Sequence, residues 1–72
     1  MKEEIQKLYD KISAELFKKF PDSNPRIIEI FDKSFKYELE RNDNYAYYLV
    51  GYTTDSSGEL KVDWKRAEQF MQ

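Results

Sequence analysis

Between Phe35 and Trp64 apolar and polar residues alternate over three segments separated by turn-forming residues, and this alternation restricts the fold more than any other feature. In the first segment Phe35, Tyr37 and Leu39 fall on one side and Lys36, Glu38 and Glu40 on the other, the period-2 pattern of a half-buried strand. Arg41-Asn42-Asp43-Asn44 interrupts the pattern and Tyr45 to Thr53 resumes it, so the four polar residues read as a hairpin loop. Pairing across that loop sets Glu40 opposite Tyr45, Leu39 opposite Ala46, Tyr37 opposite Tyr48 and Phe35 opposite Val50. Asp55-Ser56-Ser57-Gly58 signals a second hairpin, in which a type I turn followed by a left-handed glycine makes a three-residue loop with a bulge. Tyr52 then faces Val62, and Val50 faces Trp64. The two turns, read independently, place Phe35, Tyr37, Leu39, Ala46, Tyr48, Val50, Tyr52, Leu60, Val62 and Trp64 on one face. A slip of one residue at either turn would spoil that agreement.

A sheet that is apolar on one side needs a cover, and the N-terminal segment supplies it. From Lys2 to Phe20 the residues Ile5, Leu8, Tyr9, Ile12, Leu16 and Phe20 recur at steps of three and four, the stripe of an amphipathic helix. Glu3 and Glu4 in its first turn and Lys18 and Lys19 in its last complement the helix dipole, and Pro21 stops it. Phe17 falls beside the stripe. Pro21 to Pro25 is a loop, because each proline pushes its predecessor out of helical geometry. Arg26 to Phe31 suits a short strand, since β-branched residues crowd it, although Ile28, Phe31, Phe35 and Leu39 would also line a helix. After Asp63, which can cap a first turn, the chain is expected to turn helical to its end. The expected architecture is a single α+β domain over 1–72: an N-terminal amphipathic helix on a three- or four-stranded antiparallel meander, with a short C-terminal helix.

A chain of 72 residues has room for one thin core, and with no cysteine it has neither a disulfide nor a thiolate zinc site to reinforce it. Packing must stabilise it, and the aromatic content of 17% shows which side chains do so. Charged residues are 36% with both signs interspersed, and the net charge is −2, which suits a folded domain and not a disordered chain. Nucleic acid is an unlikely partner, because the chain is acidic and no run of Lys or Arg exceeds two residues. No apolar run approaches the ~20 residues that span a bilayer, and Met1-Lys2-Glu3-Glu4 lacks the order of a signal peptide. The expected location is the cytoplasm, with no membrane partner.

Histidine is missing along with cysteine, which removes the commonest general base, the thiolate nucleophile and the best transition-metal ligands together. Ser23, Ser34, Ser56 and Ser57 lie in or beside turns, where serine serves the backbone. Glu38 and Glu40 share a strand face with Lys36, the arrangement of a solvated surface and not of a catalytic pair in a cleft. Asp55 to Glu59 lacks the alternating oxygen ligands of a calcium loop. No catalytic residue, metal site or cofactor is expected.

The second sheet face is the most informative feature. There Tyr45, Tyr47 and Leu49 project away from the core together with Glu38, Glu40, Lys61 and Asp63. Two readings stand side by side: either Arg26 to Phe31 or the C-terminal segment folds over these rings, or they form an exposed tyrosine patch rimmed by charge, a composition enriched at protein interfaces. Stacking of single-stranded nucleic acid on Tyr45 and Tyr47 is a third use for such rings, without the basic surround it needs.

Leu8-Tyr9-Asp10-Lys11-Ile12-Ser13-Ala14-Glu15-Leu16, closing at Phe20-Pro21, resembles the start of the YezG-like immunity proteins, bacterial antitoxins that neutralise a cognate toxin. Asp55-Ser56-Ser57-Gly58-Glu59-Leu60-Lys61-Val62-Asp63-Trp64 is also similar to a stretch leading into a strand in that family. The resemblance implies a small intracellular protein that binds and blocks one protein target, with no catalytic residues to carry over. The expected function is therefore that of a non-catalytic protein-binding module, either immunity-type or a phage-encoded inhibitor. The alternative is a structural protein that pairs the tyrosine face with its own copy as a homodimer.

Overall fold

Pro21 and Pro25 divide the chain into a helix and a sheet. The computed structural model describes residues 2–71, with side chains from Ile5 onward. Helix α1 spans Lys2–Lys19, and Lys18 and Lys19 occupy its last turn as the dipole favours. The Phe20 amide donates to the Leu16 carbonyl at 2.8 Å and the Ser23 amide to the Phe20 carbonyl, so the chain leaves the helix through a turn before Pro25.

Five strands follow: β1 (Arg26–Ile30), β2 (Ser34–Arg41), β3 (Asn44–Thr54), β4 (Leu60–Val62) and β5 (Glu68–Phe70). The sheet is antiparallel throughout, in the order β1-β2-β3-β4, and β5 also pairs with β3. Arg26–Ile30 is thus a strand, with Ile27 opposite Tyr37, Ile30 opposite Phe35, and a bulge between Ile27 and Glu29.

The central hairpin has the register expected from the alternation: Phe35 opposite Val50, Tyr37 opposite Tyr48, Leu39 opposite Ala46 and Glu40 opposite Tyr45. Its loop is tighter than four residues. Arg41 pairs with Asn44, and Asn42 and Asp43 both carry positive φ, 52° and 64°. Two successive left-handed residues define a type I′ turn, whose twist matches the strands, and Asn and Asp tolerate that geometry better than other side chains.

In the second hairpin the Gly58 amide donates to the Asp55 carbonyl at 2.9 Å, and Gly58 has φ +84°. Asp55 organises this turn. One of its carboxylate oxygens accepts from the Ser57 hydroxyl, the Ser57 amide and the Glu59 amide at 2.6, 2.9 and 2.9 Å. These bonds, led by the Ser57 hydroxyl, hold the Asp55 carboxyl below its usual range.

The C-terminus departs from expectation. Tyr52 faces Val62, but Val50 does not pair with Trp64, because a three-residue 3₁₀ turn (Trp64–Arg66) follows β4. Asp63 makes no side-chain cap there; its carboxylate lies 3.7 Å from Arg66 instead. In place of a C-terminal helix, the chain straightens into β5 and takes the remaining edge of β3, with Tyr47 opposite Phe70 and Leu49 opposite Glu68. Residues 63–67 therefore stand against only residues 50 and 51 of β3, a surplus of three. An odd surplus exchanges the faces of the residues beyond it, so Phe70 emerges on the side opposite Val62.

The core lies between α1 and one sheet face. Ile12 and Leu16 of α1 are buried with Phe35, Tyr37, Val50, Tyr52 and Leu60, and Leu8, Phe20, Leu39, Tyr48, Val62 and Trp64 pack around them. Trp64 stands edge-on to Phe20, Tyr37 and Phe35 at centroid distances of 5.4, 5.7 and 6.2 Å, while Tyr37 stacks on Tyr48 at 5.3 Å. Such edge and stacked contacts add to burial because ring faces and edges carry opposite partial charge. Burial, helped by the nearby Tyr48, pushes the Tyr37 phenol up to about 12. The Tyr52 hydroxyl donates to the Phe31 carbonyl at 2.7 Å and so pins the turn after β1.

Candidate functional site

Because side chains alternate along a strand, the residues between the core positions of β2 and β3 must emerge on the far side of the sheet. The cross-strand pairs Glu38–Tyr47, Glu40–Tyr45 and Lys36–Leu49 form this outer face. Neither segment that could have folded over it does so. Strand β1 joins the sheet beside β2, and β5 joins beside β3, so both widen the face without covering it.

Tyr45 is 54% exposed, and Tyr47 and Leu49 are half-buried. What shields Tyr47 comes from within the face, since its ring lies 6.0 Å from that of Phe70. Phe31, also exposed, is linked to the same patch by Lys36, whose ammonium sits 5.6 Å from the Phe31 ring and 5.2 Å from the Phe70 ring. A cation held over two rings keeps that end of the face from being uniformly apolar.

The two carboxylates on β2 do different jobs. Glu38 lies 3.5 Å from the guanidinium of its cross-strand neighbour Arg26, and Glu40 accepts a 3.2 Å bond from the Asn24 side-chain amide. Asn24 is positioned for this by its left-handed backbone (φ 43°) and by the adjacent bond from the Glu40 amide to the Ser23 carbonyl, 2.8 Å. The proline loop is thus tied to the end of β2, and Asn24, Glu38, Glu40, Tyr45 and Tyr47 line an open groove of about 380 Å³. Arg26 lines the same groove with its guanidinium on Glu38, so the groove sets two aromatic walls beside both signs of charge and suits a protruding polar side chain from another molecule.

Not every residue expected at this site belongs to it. Lys61 lies opposite Thr53, and with Asp63 it borders a separate hollow beside Lys33 and Thr53. Tyr45, Tyr47, Leu49, Glu38 and Glu40 are brought together, whereas Lys61 and Asp63 stand at the other end of β3. Phe70 and Phe31 are the residues that the alternation did not reveal. Phe70 reaches the outer face only through the three surplus residues before β5, and nothing in its local sequence signals that.

Among the described residues no group of three or more Asp or Glu is gathered as a metal site would require. Among the same described residues no helix is long and apolar enough to cross a membrane. Comparison with protein-family models, curated proteins and solved structures finds no match to this chain.

Proposed function

We propose that the protein is a non-catalytic binding module that engages and blocks a protein target through the outer sheet face, in the manner of an immunity protein or a phage-encoded inhibitor. The observation that carries this reading is the uncovered aromatic patch: Tyr45, Tyr47, Leu49, Phe70 and Phe31 share one face, and no other part of the described chain folds across it. Tyrosines in such a setting offer a large contact area and a polar tip at little entropic cost, which is why they concentrate binding energy at interfaces. The resemblance of the α1 and second-hairpin sequences to the YezG-like immunity proteins supplies the class of function. Absence of histidine and cysteine supports a role without catalysis.

The test is quantitative capture from the native host with tagged protein. Tyr45→Ala and Tyr47→Ala are expected each to weaken capture of the specific partner about 30-fold, the loss that a hot-spot residue of ~2 kcal/mol produces. Both variants should retain the wild-type circular dichroism spectrum. A partner held equally well by both variants would place the contact elsewhere.

A further inference from the structure

We infer that the protein pairs edge to edge with a second copy of itself, β1 antiparallel to β1 about a two-fold axis at the bulge, so that the two sheets run on as one. The inference does not rest on the proposed function. It rests on the edge that β1 leaves open and on what the bulge does to the charges along it.

β1 is the outermost strand. β2 lies on one side of it, α1 approaches it from the inner face, and no described element lies on its other side. A strand with one neighbour turns alternate backbone groups to the open side. The Phe31 amide donates to the Ser34 carbonyl at 2.7 Å, so alternation turns the groups of Ile30 outward. Ile27 and Ile30 pack against the core, whereas Ile28, at the bulge, is half-buried without joining it.

A bulge and charged side chains commonly guard an open edge. Here they make it self-complementary. In a regular strand residues three apart stand on opposite faces, but the bulge sets Arg26, opposite Glu38, and Glu29, opposite Lys36, both on the outer face. A second β1 running antiparallel about the bulge brings Arg26 opposite Glu29 of the other copy, twice by symmetry. Both side chains can meet such a partner. Arg26 is 71% exposed and comes no nearer than 3.5 Å to Glu38. Glu29 is exposed and has no ion pair among the described residues, since the ammonium of Lys36, its cross-strand neighbour, lies over the Phe31 and Phe70 rings instead.

The bulge also selects the occupant. A regular strand laid along this edge falls out of step past the extra residue, whereas β1 of a second copy carries the same irregularity at the same place.

The inner face supplies an apolar contact across the axis. The Lys11 ammonium donates to the Gly58 carbonyl at 2.7 Å, which turns that flank of α1 toward the second hairpin, on the side of the sheet away from β1. Phe17 follows about 240° further round the helix, on the opposite flank, and is 52% exposed. Phe20 stacks on Tyr37, and Tyr37 stands opposite Ile27, so the last turns of α1 lie level with the bulge. The two-fold axis thus brings Phe17 of each copy toward the other, above the bulged isoleucines. Exposed ion pairs contribute little by themselves; the added backbone bonds and these apolar side chains hold the copies together, while the charges fix the register. Arg26 also lines the groove beside Tyr45 and Tyr47, so pairing extends the outer face across the axis and sets two tyrosine patches on one surface.

Sedimentation equilibrium of the full chain alone, from 2 to 200 µM, decides the matter. A self-limiting monomer–dimer equilibrium is expected, with no larger species. Arg26→Glu and Glu29→Arg should each raise the dissociation constant roughly tenfold or more, since each sets like charges opposite one another at two places. The double variant, in which the pairs are opposite in sign again, should return to within about threefold of wild type. Phe17→Lys should weaken the dimer and leave the urea midpoint at 1 µM unchanged, because that ring is exposed in the monomer. Tyr47→Ala should leave the dimer intact, so loss of pairing and loss of target capture are told apart. A wild-type protein that stays monomeric at 200 µM overturns the proposal, as does one that grows into open oligomers. A double variant as weak as the single ones overturns it too, and so does a dimer that dissociates with Tyr47→Ala.

Discussion

The two faces of the sheet are made of nearly the same residue types, yet they are in opposite states. The inner face carries Phe35, Tyr37, Tyr48 and Tyr52, and α1 with Trp64 closes over much of it. The outer face carries Tyr45, Tyr47, Phe70 and Phe31, and only their neighbours in the sheet shield them. Residue type does not decide burial here. Parity along the strand does, and parity is set by two turns of a few residues each.

Removing a ring from each face separates these states most widely. Phe35→Ala should cost about 4 kcal/mol in urea denaturation, since Phe35 has no exposed surface and packs against Tyr37, Tyr52 and Trp64. Tyr45→Ala should stay within about 0.5 kcal/mol of wild type. Equal costs would mean that the faces do not differ as described.

Alkaline titration probes the inner face alone. The folded Tyr37 phenol, raised to about 12 by burial, holds its proton more tightly than in the unfolded chain. Its contribution is complete below pH ~10 and is lost as pH rises toward ~12, a fall on the order of 2 kcal/mol. Burial, with Asp32 nearby, raises the Tyr52 phenol as well and steepens the decline. Tyr37→Phe should flatten most of that slope in stability measured from pH 9 to 12.

A smaller effect is expected where β5 meets the outer face. Phe70→Ala removes a half-buried ring from Tyr47 and Lys36 and should cost about 1 kcal/mol, with faster hydrogen exchange confined to the amides that β5 covers on β3. The smallest change should be a gain. Asp43→Gly relaxes a left-handed position in the type I′ turn and is expected to add roughly 0.5 kcal/mol to the urea stability without altering the register.

Much of this was readable in the sequence because period-2 alternation and turn chemistry are local signals. Phe35 to Val50 and the Asp55-Ser56-Ser57-Gly58 turn fixed both hairpins, and the same parity placed Tyr45, Tyr47 and Leu49 outside. The C-terminus was not readable in this way. Lys65-Arg66-Ala67-Glu68-Gln69 consists of good helix formers. The vacant hydrogen-bonding edge of β3 at Tyr47–Leu49 outweighs that preference, because unpaired backbone groups beside a core are costly. The same long-range choice hid Phe70 and separated Lys61 and Asp63 from the tyrosines. The exposure of Ile5 and Tyr9 was hidden too, because they continue the stripe of Leu8, Ile12 and Leu16 that packs on the core.

The three-residue jog before β5 also makes the last strand separable. It meets the remainder of the sheet at only three paired positions and is tethered through one short turn. Cutting the chain after Ala67 would leave a ready slot along Tyr47–Leu49, open to a peptide of the sequence Glu68-Gln69-Phe70-Met71. With so few paired positions a free copy of that segment would not rebind from solution, so the strand holds its place only because the short turn keeps it beside its slot.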